Sequence, residues 1–239
     1  MKLQDATVLI TGANRGLGRA FAEAALARGA RTVYAAARDP ARVGVAGVRP
    51  IAIDVNDPRS VAAAARECGD TTLVINNAGI ASTGGFLAPD AIDAARAHLE
   101  TNFFGVLRMV QAFAPVLGKN GGGAFLDVLS VASWINSPLL GTYGASKSAA
   151  WALTNGIRIE LAAQGTQVLG LHVGFVDTDL TAGMDVPKAR PADVVATALD
   201  GLEAGASEVL ADEFTRQVHR GLSAHPAVYL QAIERGAAA

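Results

Sequence analysis

The sequence predicts an α/β protein in which short parallel strands alternate with helices. Hydrophobic residues make up 51% of the 239-residue chain but aromatic residues only 5%. The apolar content is therefore mainly Ala, Val and Leu, which suits Ala-rich helices packed on Val-rich strands. The β-branched run at 6–10 is followed by a longer helical pattern. The run at 73–75 is wholly apolar, which is typical of a central parallel strand covered on both faces.

The first β-α-β unit contains a glycine-rich turn. A strand at 6–10 leads into the turn at 11–18, and a helix is predicted from 17 to 28, ending at Gly29. Residues 32–37 form the second strand. Because this turn lies between a strand and a helix, its free backbone N–H groups can bind a pyrophosphate. The alternative is a glycine-rich turn that binds no ligand.

The rest of the chain continues the alternation. Further strands are predicted at 48–53, 73–75, 124–129, 167–173 and 208–210. Further helices are predicted at 58–67, 89–117, 142–164 and 191–203, with helix and tail from 212 onward. No repeat, low-complexity segment or linker interrupts the sequence, so residues 1–239 are predicted to form a single domain.

Tyr143 and Lys147 form the first candidate catalytic pair. They lie four residues apart near the start of the longest predicted helix, so both side chains can point into one cleft. A neighbouring cation lowers the pKa of a phenol from about 10, because it favours the phenolate. Such a tyrosine can transfer protons near neutral pH. The alternative is an ordinary amphipathic pair at the edge of the core.

The end of the second strand carries information about the nucleotide. NAD-binding folds commonly place an acidic residue there, which binds the 2′-hydroxyl of the ribose. Here the strand ends in Ala37 and Arg38, and Arg15 lies in the glycine-rich turn. Guanidinium groups pair with a 2′-phosphate, so the two arginines favour NADP over NAD. Asp39 is the competing acidic candidate, but it comes slightly late.

Other polar residues follow predicted strands or interrupt helices. Residues 76–79, Asn-Asn-Ala-Gly, come directly after the fourth strand and face the expected ligand crevice, although Asn and Gly also favour turns. Asn102 is unfavourable inside a helix and marks an expected kink. Ser130 follows the fifth strand. The apolar loop 131–141 lies beside these residues in sequence.

Composition excludes several classes of function. A net charge of −2 and an isoelectric point near 6.1 give no basic footprint, so nucleic acid is not an expected partner. No apolar run approaches the roughly eighteen residues needed to span a bilayer. Residues 1–5 lack the apolar region of a signal peptide, so a cytoplasmic location is expected. The single Cys68 and scattered histidines predict neither a disulfide nor a metal site.

The helix at 142–164 is expected to form a subunit interface. Its apolar residues Trp151, Leu153, Ile157 and Leu161 leave little polar face. Gly156 weakens a helix, which is understandable if another backbone packs closely against it. A homodimer or homotetramer is therefore predicted.

Taken together, the motifs resemble the short-chain dehydrogenase/reductase family across nearly the whole chain. The matching residues are Thr11, Gly12, Gly16, Gly18, Asp54, Asn76, Asn77, Ala78, Gly79, Asn102, Ser130, Tyr143, Lys147, Gly174 and Thr178. The resemblance implies a Rossmann-like, doubly wound parallel sheet of about seven strands, with helices on both faces. Two positions depart from the family pattern: Val173 stands where Pro usually precedes the glycine, and Leu129 where a second serine often precedes Ser130.

The resemblance also implies a catalytic tetrad. Tyr143 would exchange a proton with the carbonyl oxygen while nicotinamide transfers hydride, and Ser130 would hydrogen-bond the same oxygen. Lys147 would lower the pKa of Tyr143 and hold the nicotinamide ribose. Asn102 would kink its helix and fix a water that links Lys147 to solvent.

Cofactor and substrate contacts follow from the same resemblance. Expected cofactor contacts are Gly12, Asn14, Arg15, Gly16, Leu17, Gly18, Arg38, Asp54, Val55, Asn76, Ala78, Gly79, Tyr143, Lys147, Gly174, Val176 and Thr178. Expected substrate contacts are Ser130, Trp134, Ile135, Asn136, Leu140, Tyr143 and Phe175, a mostly apolar set that suits a hydrophobic carbonyl or alcohol substrate.

The two arginines resemble the NADPH-preferring, carbonyl reductase-like branch of the family, so the expected activity is reduction of a ketone or aldehyde. Within enzymes, the alternative is reduction of a 3-oxoacyl chain on a carrier protein, which would favour a basic patch near the cleft. From another class, the alternative is a regulatory protein that binds NADP without turnover. The complete tetrad argues against that alternative.

Overall fold

The computed structural model describes residues 1–230. Its strands are β1 (Thr7–Thr11), β2 (Thr32–Ala37), β3 (Arg49–Ala52), β4 (Leu73–Asn76), β5 (Ala124–Val128), β6 (Gln167–His172) and β7 (Glu208–Leu210). They form one parallel sheet in the order β3-β2-β1-β4-β5-β6-β7. The order reverses direction between β1 and β4, which opens a crevice at their carboxyl ends. The predicted doubly wound, seven-stranded sheet is confirmed.

Helices cover both faces of the sheet. They are α1 (Gly16–Ala27), α2 (Pro58–Glu67), α3 (Ala91–Leu99), α4 (Gly105–Lys119), α5 (Gly141–Glu160), α6 (Pro191–Glu203) and α7 (Glu213–Gly221). A π-helical turn, Glu100–Phe104, joins α3 to α4. Within residues 1–230 no helix is both long and apolar enough to cross a bilayer.

Alternation along the strands divides the core into two layers. In β1, Val8 and Ile10 point to the layer that packs against α1 and α6, whereas Leu9 points to the layer of α2, α4 and α5. Phe21 of α1 and Phe113 of α4 are fully buried, one in each layer. This burial on both faces explains why the central strands are short and apolar.

The predicted helix 89–117 is interrupted in the structure. Helix α3 begins at Ala91, after a turn in which the Ala91 N–H donates to the Ala88 carbonyl oxygen. The π-helical turn contains Asn102, so the distortion expected there is present. Helix α5 ends at Glu160, earlier than predicted, and the chain continues as a short 3₁₀ turn, Ala162–Gln164.

Candidate active site

A cleft of about 540 Å³ lies at the carboxyl ends of the strands. It contains most of the side chains that the sequence predicted for the site. The expected residues on its walls are Gly12, Asn14, Arg15, Gly16, Leu17, Arg38, Asp54, Val55, Ala78, Gly79, Ser130, Leu140, Tyr143, Lys147, Gly174, Phe175, Val176 and Thr178.

The glycine-rich turn forms one end of the cleft. Gly12 and Gly16 have φ values of 66° and 53°, in the left-handed region that glycine adopts without strain. Gly18 lies behind the cleft wall, where a Cβ would overlap the Gly12 carbonyl oxygen. No side chain caps the first N–H groups of α1, so they remain available to a phosphate beside Arg15, the N-cap residue.

Three arginines line this end of the cleft, namely Arg15, Arg38 and Arg42. The Arg15 Nη1 atom lies 3.0 Å from Asp179 Oδ2, and both side chains are exposed. Asp39 also lines the cleft, but its carboxylate accepts a hydrogen bond from the Ala41 N–H and caps the turn Pro40–Arg42. One oxygen of the carboxylate that could compete for a ribose hydroxyl is thus bound by its own backbone.

Tyr143, Ser130 and Lys147 converge at the middle of the cleft. Ser130 follows β5, and its Oγ accepts a hydrogen bond of 3.1 Å from the Ala132 N–H. Tyr143 lies in the first turn of α5. One turn later, the buried Lys147 Nζ donates to the Val128 carbonyl oxygen at 2.8 Å. The predicted helical pair therefore shares one cleft with the serine.

The electrostatics of this group differ from the expectation. Burial raises the pKa of Tyr143, and the Ser130 side chain, not Lys147, is the group that lowers it. Burial lowers the pKa of Lys147 to about 8, against the opposing effect of the Asp127 carboxylate. The phenol is accordingly held in its protonated form, and the ammonium titrates close to neutral pH. The expected lowering of the Tyr143 pKa by Lys147 is not present in this structure.

Asn102 does not reach the cleft wall. Its Oδ1 accepts from the Ile80 N–H, and its Nδ2 donates to the Ile80 carbonyl oxygen and to Ser146 Oγ, each at 2.9 Å. The π-helical turn thus connects the loop after β4 to α5. The water that Asn102 was expected to hold for Lys147 stays a prediction.

Asn76 also lies off the cleft, in a buried polar network. Its Nδ2 donates to Asp127 Oδ1 at 2.8 Å, and Thr154 Oγ1 lies 2.8 Å from Asp127 Oδ2. The neighbouring Asn77 lines the cleft instead, with its Nδ2 donating to the Thr11 carbonyl oxygen at 2.9 Å. Side chains alternate across a strand end, so adjacent asparagines face opposite ways.

Three expected substrate contacts, Trp134, Ile135 and Asn136, lie outside the cleft. Trp134 stacks on His172, with ring centroids 3.9 Å apart, and Ile135 packs in a small apolar cluster with Val218. Asn136 Nδ2 donates to the Gly141 carbonyl oxygen. The 3₁₀ turn Val131–Ser133 redirects the chain after Ser130, which corrects the prediction for all three.

Apolar side chains from other segments line the substrate end of the cleft. They are Ile80, Ala81, Leu180 and Met184, none of which the sequence singled out. Ile80 and Ala81 follow the Asn-Asn-Ala-Gly motif directly, so their place after a strand end was a usable signal. Leu180 and Met184 lie in the connection between β6 and α6, where no periodicity indicated a site. Among residues 1–230, no cluster of three or more His, Cys, Asp and Glu side chains could hold a metal.

Comparison with known proteins agrees with this geometry. Residues 6–188 match the family model described as short chain dehydrogenase. Oxidoreductase BOA17 of Botryotinia fuckeliana is 35% identical over 190 residues, covering 74% of this chain and 69% of that protein. The 3-oxoacyl-[acyl-carrier-protein] reductase FabG of Vibrio harveyi is 29% identical over 194 residues, covering 77% of this chain and 79% of that protein.

A solved structure is similar over almost its whole length. The short chain dehydrogenase from Burkholderia cenocepacia J2315, in complex with NADP, superimposes with a TM-score of 0.91 at 38% sequence identity, covering 95% of this chain and 96% of that one. The family match, the sheet order and the Ser-Tyr-Lys cleft agree with one another. This chain belongs to the short chain dehydrogenase family of oxidoreductases.

Proposed function

We propose that the chain is an NADPH-dependent oxidoreductase that reversibly reduces a ketone or aldehyde to an alcohol. The observation that carries this proposal is the convergence of Ser130, Tyr143 and Lys147 in one cleft with a glycine-rich turn at its far end. The first group suits proton transfer to an oxygen atom, and the turn suits binding of a pyrophosphate.

The residues present fit an NADP molecule. The uncapped N–H groups of α1 and the close packing at Gly18 leave room for a pyrophosphate against the turn. Arg15, Arg38 and Arg42 bring positive charge to the end where a 2′-phosphate would lie. Asp54 and Val55 would contact the adenine, and Lys147 the nicotinamide ribose. The similar NADP complex from Burkholderia cenocepacia J2315 supports this choice of cofactor.

When bound, the nicotinamide supplies a hydride to the carbonyl carbon. Tyr143 donates its phenolic proton to the carbonyl oxygen, and a pKa raised by burial keeps that proton in place until the oxygen becomes basic. The Ser130 hydroxyl donates a hydrogen bond to the same oxygen and stabilises the charge that develops there. Lys147, with a pKa of about 8, can return a proton to the phenolate near neutral pH.

The substrate end of the cleft supports a hydrophobic substrate. Its walls carry Ile80, Leu140, Phe175, Leu180 and Met184. In the part of the chain that the structure describes, the cations on the cleft walls are Lys147 and the three arginines at the nucleotide end. A neutral, apolar carbonyl compound matches this lining better than an anionic one.

Reduction of a 3-oxoacyl chain on a carrier protein is the second candidate. The similarity to the FabG reductase of Vibrio harveyi favours it. Among residues 1–230 the substrate-end walls carry no arginine or lysine besides Lys147, which weighs against it, because an acidic carrier protein needs a basic surface near the cleft. A silent NADP-binding protein is the third alternative, and the convergence of Ser130, Tyr143 and Lys147 in one cleft argues against it.

The proposal extends to location and assembly. A cytoplasmic location suits a reductase, because reduced NADP is abundant for reduction in cells.

Ile159 of α5 and Phe104 of the π-helical turn are exposed apolar side chains, and a second copy of the chain would cover them in a homodimer or homotetramer. Sedimentation at micromolar concentration would show either state, whereas a strict monomer would contradict it.

One experiment tests the reaction. NADPH oxidation is followed at fixed enzyme concentration against aryl ketones, ketoesters, quinones and carrier-bound 3-oxoacyl mimics. The proposal predicts turnover of uncharged apolar carbonyls. Turnover restricted to carrier-bound substrates would favour the second candidate, and binding of NADPH without turnover of any compound would favour the third.

A further inference from the structure

The Asn102 side chain joins the loop after β4 to α5 through hydrogen bonds. It binds both backbone polar groups of Ile80 on one side and the hydroxyl of Ser146 on the other. The loop residue Ile80 lines the substrate end of the cleft. This connection therefore fixes a wall of the cleft relative to the helix that carries Tyr143.

His98 makes a second, parallel connection one helical turn earlier. Its Nε2 atom lies 3.1 Å from the Ser82 backbone nitrogen and 3.2 Å from Ser82 Oγ. Its Nδ1 atom lies 3.0 Å from Oγ1 of Thr142, which is one helical turn before Ser146 in α5. The ring is 1% exposed and meets Tyr143 edge to face, with centroids 6.0 Å apart.

The hydrogen-bond pattern fixes the tautomer of His98. A backbone N–H can only donate, so the Nε2 atom that faces Ser82 must be the unprotonated acceptor. The neutral ring then carries its hydrogen on Nδ1 and donates it to Thr142 Oγ1. The neutral ring satisfies both partners at once.

We propose that His98 is a positioning residue for Tyr143. In its neutral form it joins Ser82 to Thr142, and it thereby fixes the loop and the first turn of α5 around the phenol. Protonation of Nε2 would set two donors against each other at the Ser82 backbone nitrogen and break that hydrogen bond, leaving Ser82 Oγ to accept from the ring on the loop side. This inference rests on the reductase function proposed above.

Burial, and not a neighbouring charge, shifts the pKa of His98. On α3, Asp93 and Arg96 pair with each other at the surface. In the π-helical turn that follows, Glu100 pairs with Arg108 of α4 at 2.6 Å. On α5, Tyr143 and Lys147 are the ionisable groups nearest in sequence to Thr142. Burial lowers the pKa of His98 below its ordinary value of 6.5.

The first test is a set of variants assayed with NADPH and a turned-over ketone. His98→Leu removes both hydrogen bonds, and kcat is expected to fall by about 10- to 100-fold, because a small misplacement of the proton donor is costly. The Kd for NADPH is expected to stay within about twofold, since His98 does not line the cleft. His98→Gln, whose amide oxygen can accept from Ser82, is expected to recover part of kcat.

Thr166→Val is the matched control. It also removes a buried side-chain hydrogen bond, the one that Thr166 Oγ1 donates to the Gly122 carbonyl oxygen, but it does so just before β6, away from the cleft. Its kcat is expected to match that of the unmodified chain. A wild-type kcat for His98→Leu would overturn the proposal, as would an equal loss in Thr166→Val.

A second test needs no turnover and stays decisive if His98→Leu does not fold. In NMR spectra of the ¹⁵N-labelled full chain, the Ser82 amide resonance is expected to move with a midpoint below pH 6.5, together with the His98 ring nitrogens. An unresponsive Ser82 amide would overturn the role of His98. If the chain reduced no carbonyl at all, the proposed function would fail, and this spectrum would still decide whether the neutral ring holds the loop.

Discussion

Replacing Lys147 by Met is expected to change how the stability of the fold depends on pH. Lys147 is 8% exposed, and burial lowers the pKa of its ammonium from 10.5 to about 8. Between these two values the unfolded chain holds the proton and the folded chain does not, so folding becomes more favourable as pH rises from 8 to 10.5. Below pH 8 the folded chain carries the buried charge, and this part of the stability is lost.

The size of the effect follows from the two pKa values. One pKa unit corresponds to about 1.4 kcal/mol, so the charged lysine costs about 3 kcal/mol of folding free energy at pH 7. Met cannot donate to the Val128 carbonyl oxygen, which costs roughly 1–3 kcal/mol at every pH. The absolute stability of Lys147→Met therefore depends on two opposing effects, the removal of the buried charge and the loss of the hydrogen bond. Only the buried charge makes the stability difference depend on pH.

The measurement is urea unfolding of both proteins at pH 7 and pH 10. The free energy of unfolding of Lys147→Met relative to the unmodified chain is expected to be highest at pH 7 and to fall by about 2–3 kcal/mol at pH 10. Lys119→Met, at an exposed site in the last turn of α4, serves as the control and should give a constant difference. A constant difference for Lys147→Met would refute the reasoning about its burial.

Two further predictions concern the nucleotide end of the cleft. Gly18→Ala is expected to abolish NADPH binding, because the added Cβ would overlap the Gly12 carbonyl oxygen. Gly156→Ala is its control: the added Cβ would meet no atom within 4 Å, and the free energy of unfolding should rise by about 1 kcal/mol. Isothermal titration and thermal unfolding of the two variants check this pair, and NADPH binding by Gly18→Ala would contradict it. Arg38→Asp is expected to weaken NADPH at least about tenfold more than NADH, because it removes a charged partner of the 2′-phosphate; fluorescence titrations that show equal weakening would remove the basis for choosing NADP.

The sequence was most informative where a residue conflicted with its local structure. Asn102 is unfavourable in a helix interior, and the structure places it in a π-helical turn. The glycines of the first turn and the arginine at the end of β2 were similarly identified by what their positions require. Such conflicts between residue and context are visible without any knowledge of distant contacts.

Residues whose role depends on distant partners were missed or misplaced. His98 meets Thr142, 44 residues away, and Asp127 meets Asn76, 51 residues away. No sequence motif links residues at either of these separations, so neither contact could be predicted. Trp134 was assigned to the cleft because it is apolar and follows Ser130, but a single 3₁₀ turn carries its ring onto His172. Direction after a strand end is set by tertiary packing, which local propensity does not contain.

The central claim is that Tyr143 donates the proton to the carbonyl oxygen. Tyr143→Phe keeps the ring and removes only the hydroxyl, so single-turnover reduction with bound NADPH isolates that proton. The account predicts a loss of at least about 10²-fold in the rate of NADPH oxidation, with the Kd for NADPH changed by less than about twofold. A variant that binds NADPH and reduces the ketone at nearly the rate of the unmodified chain would contradict it.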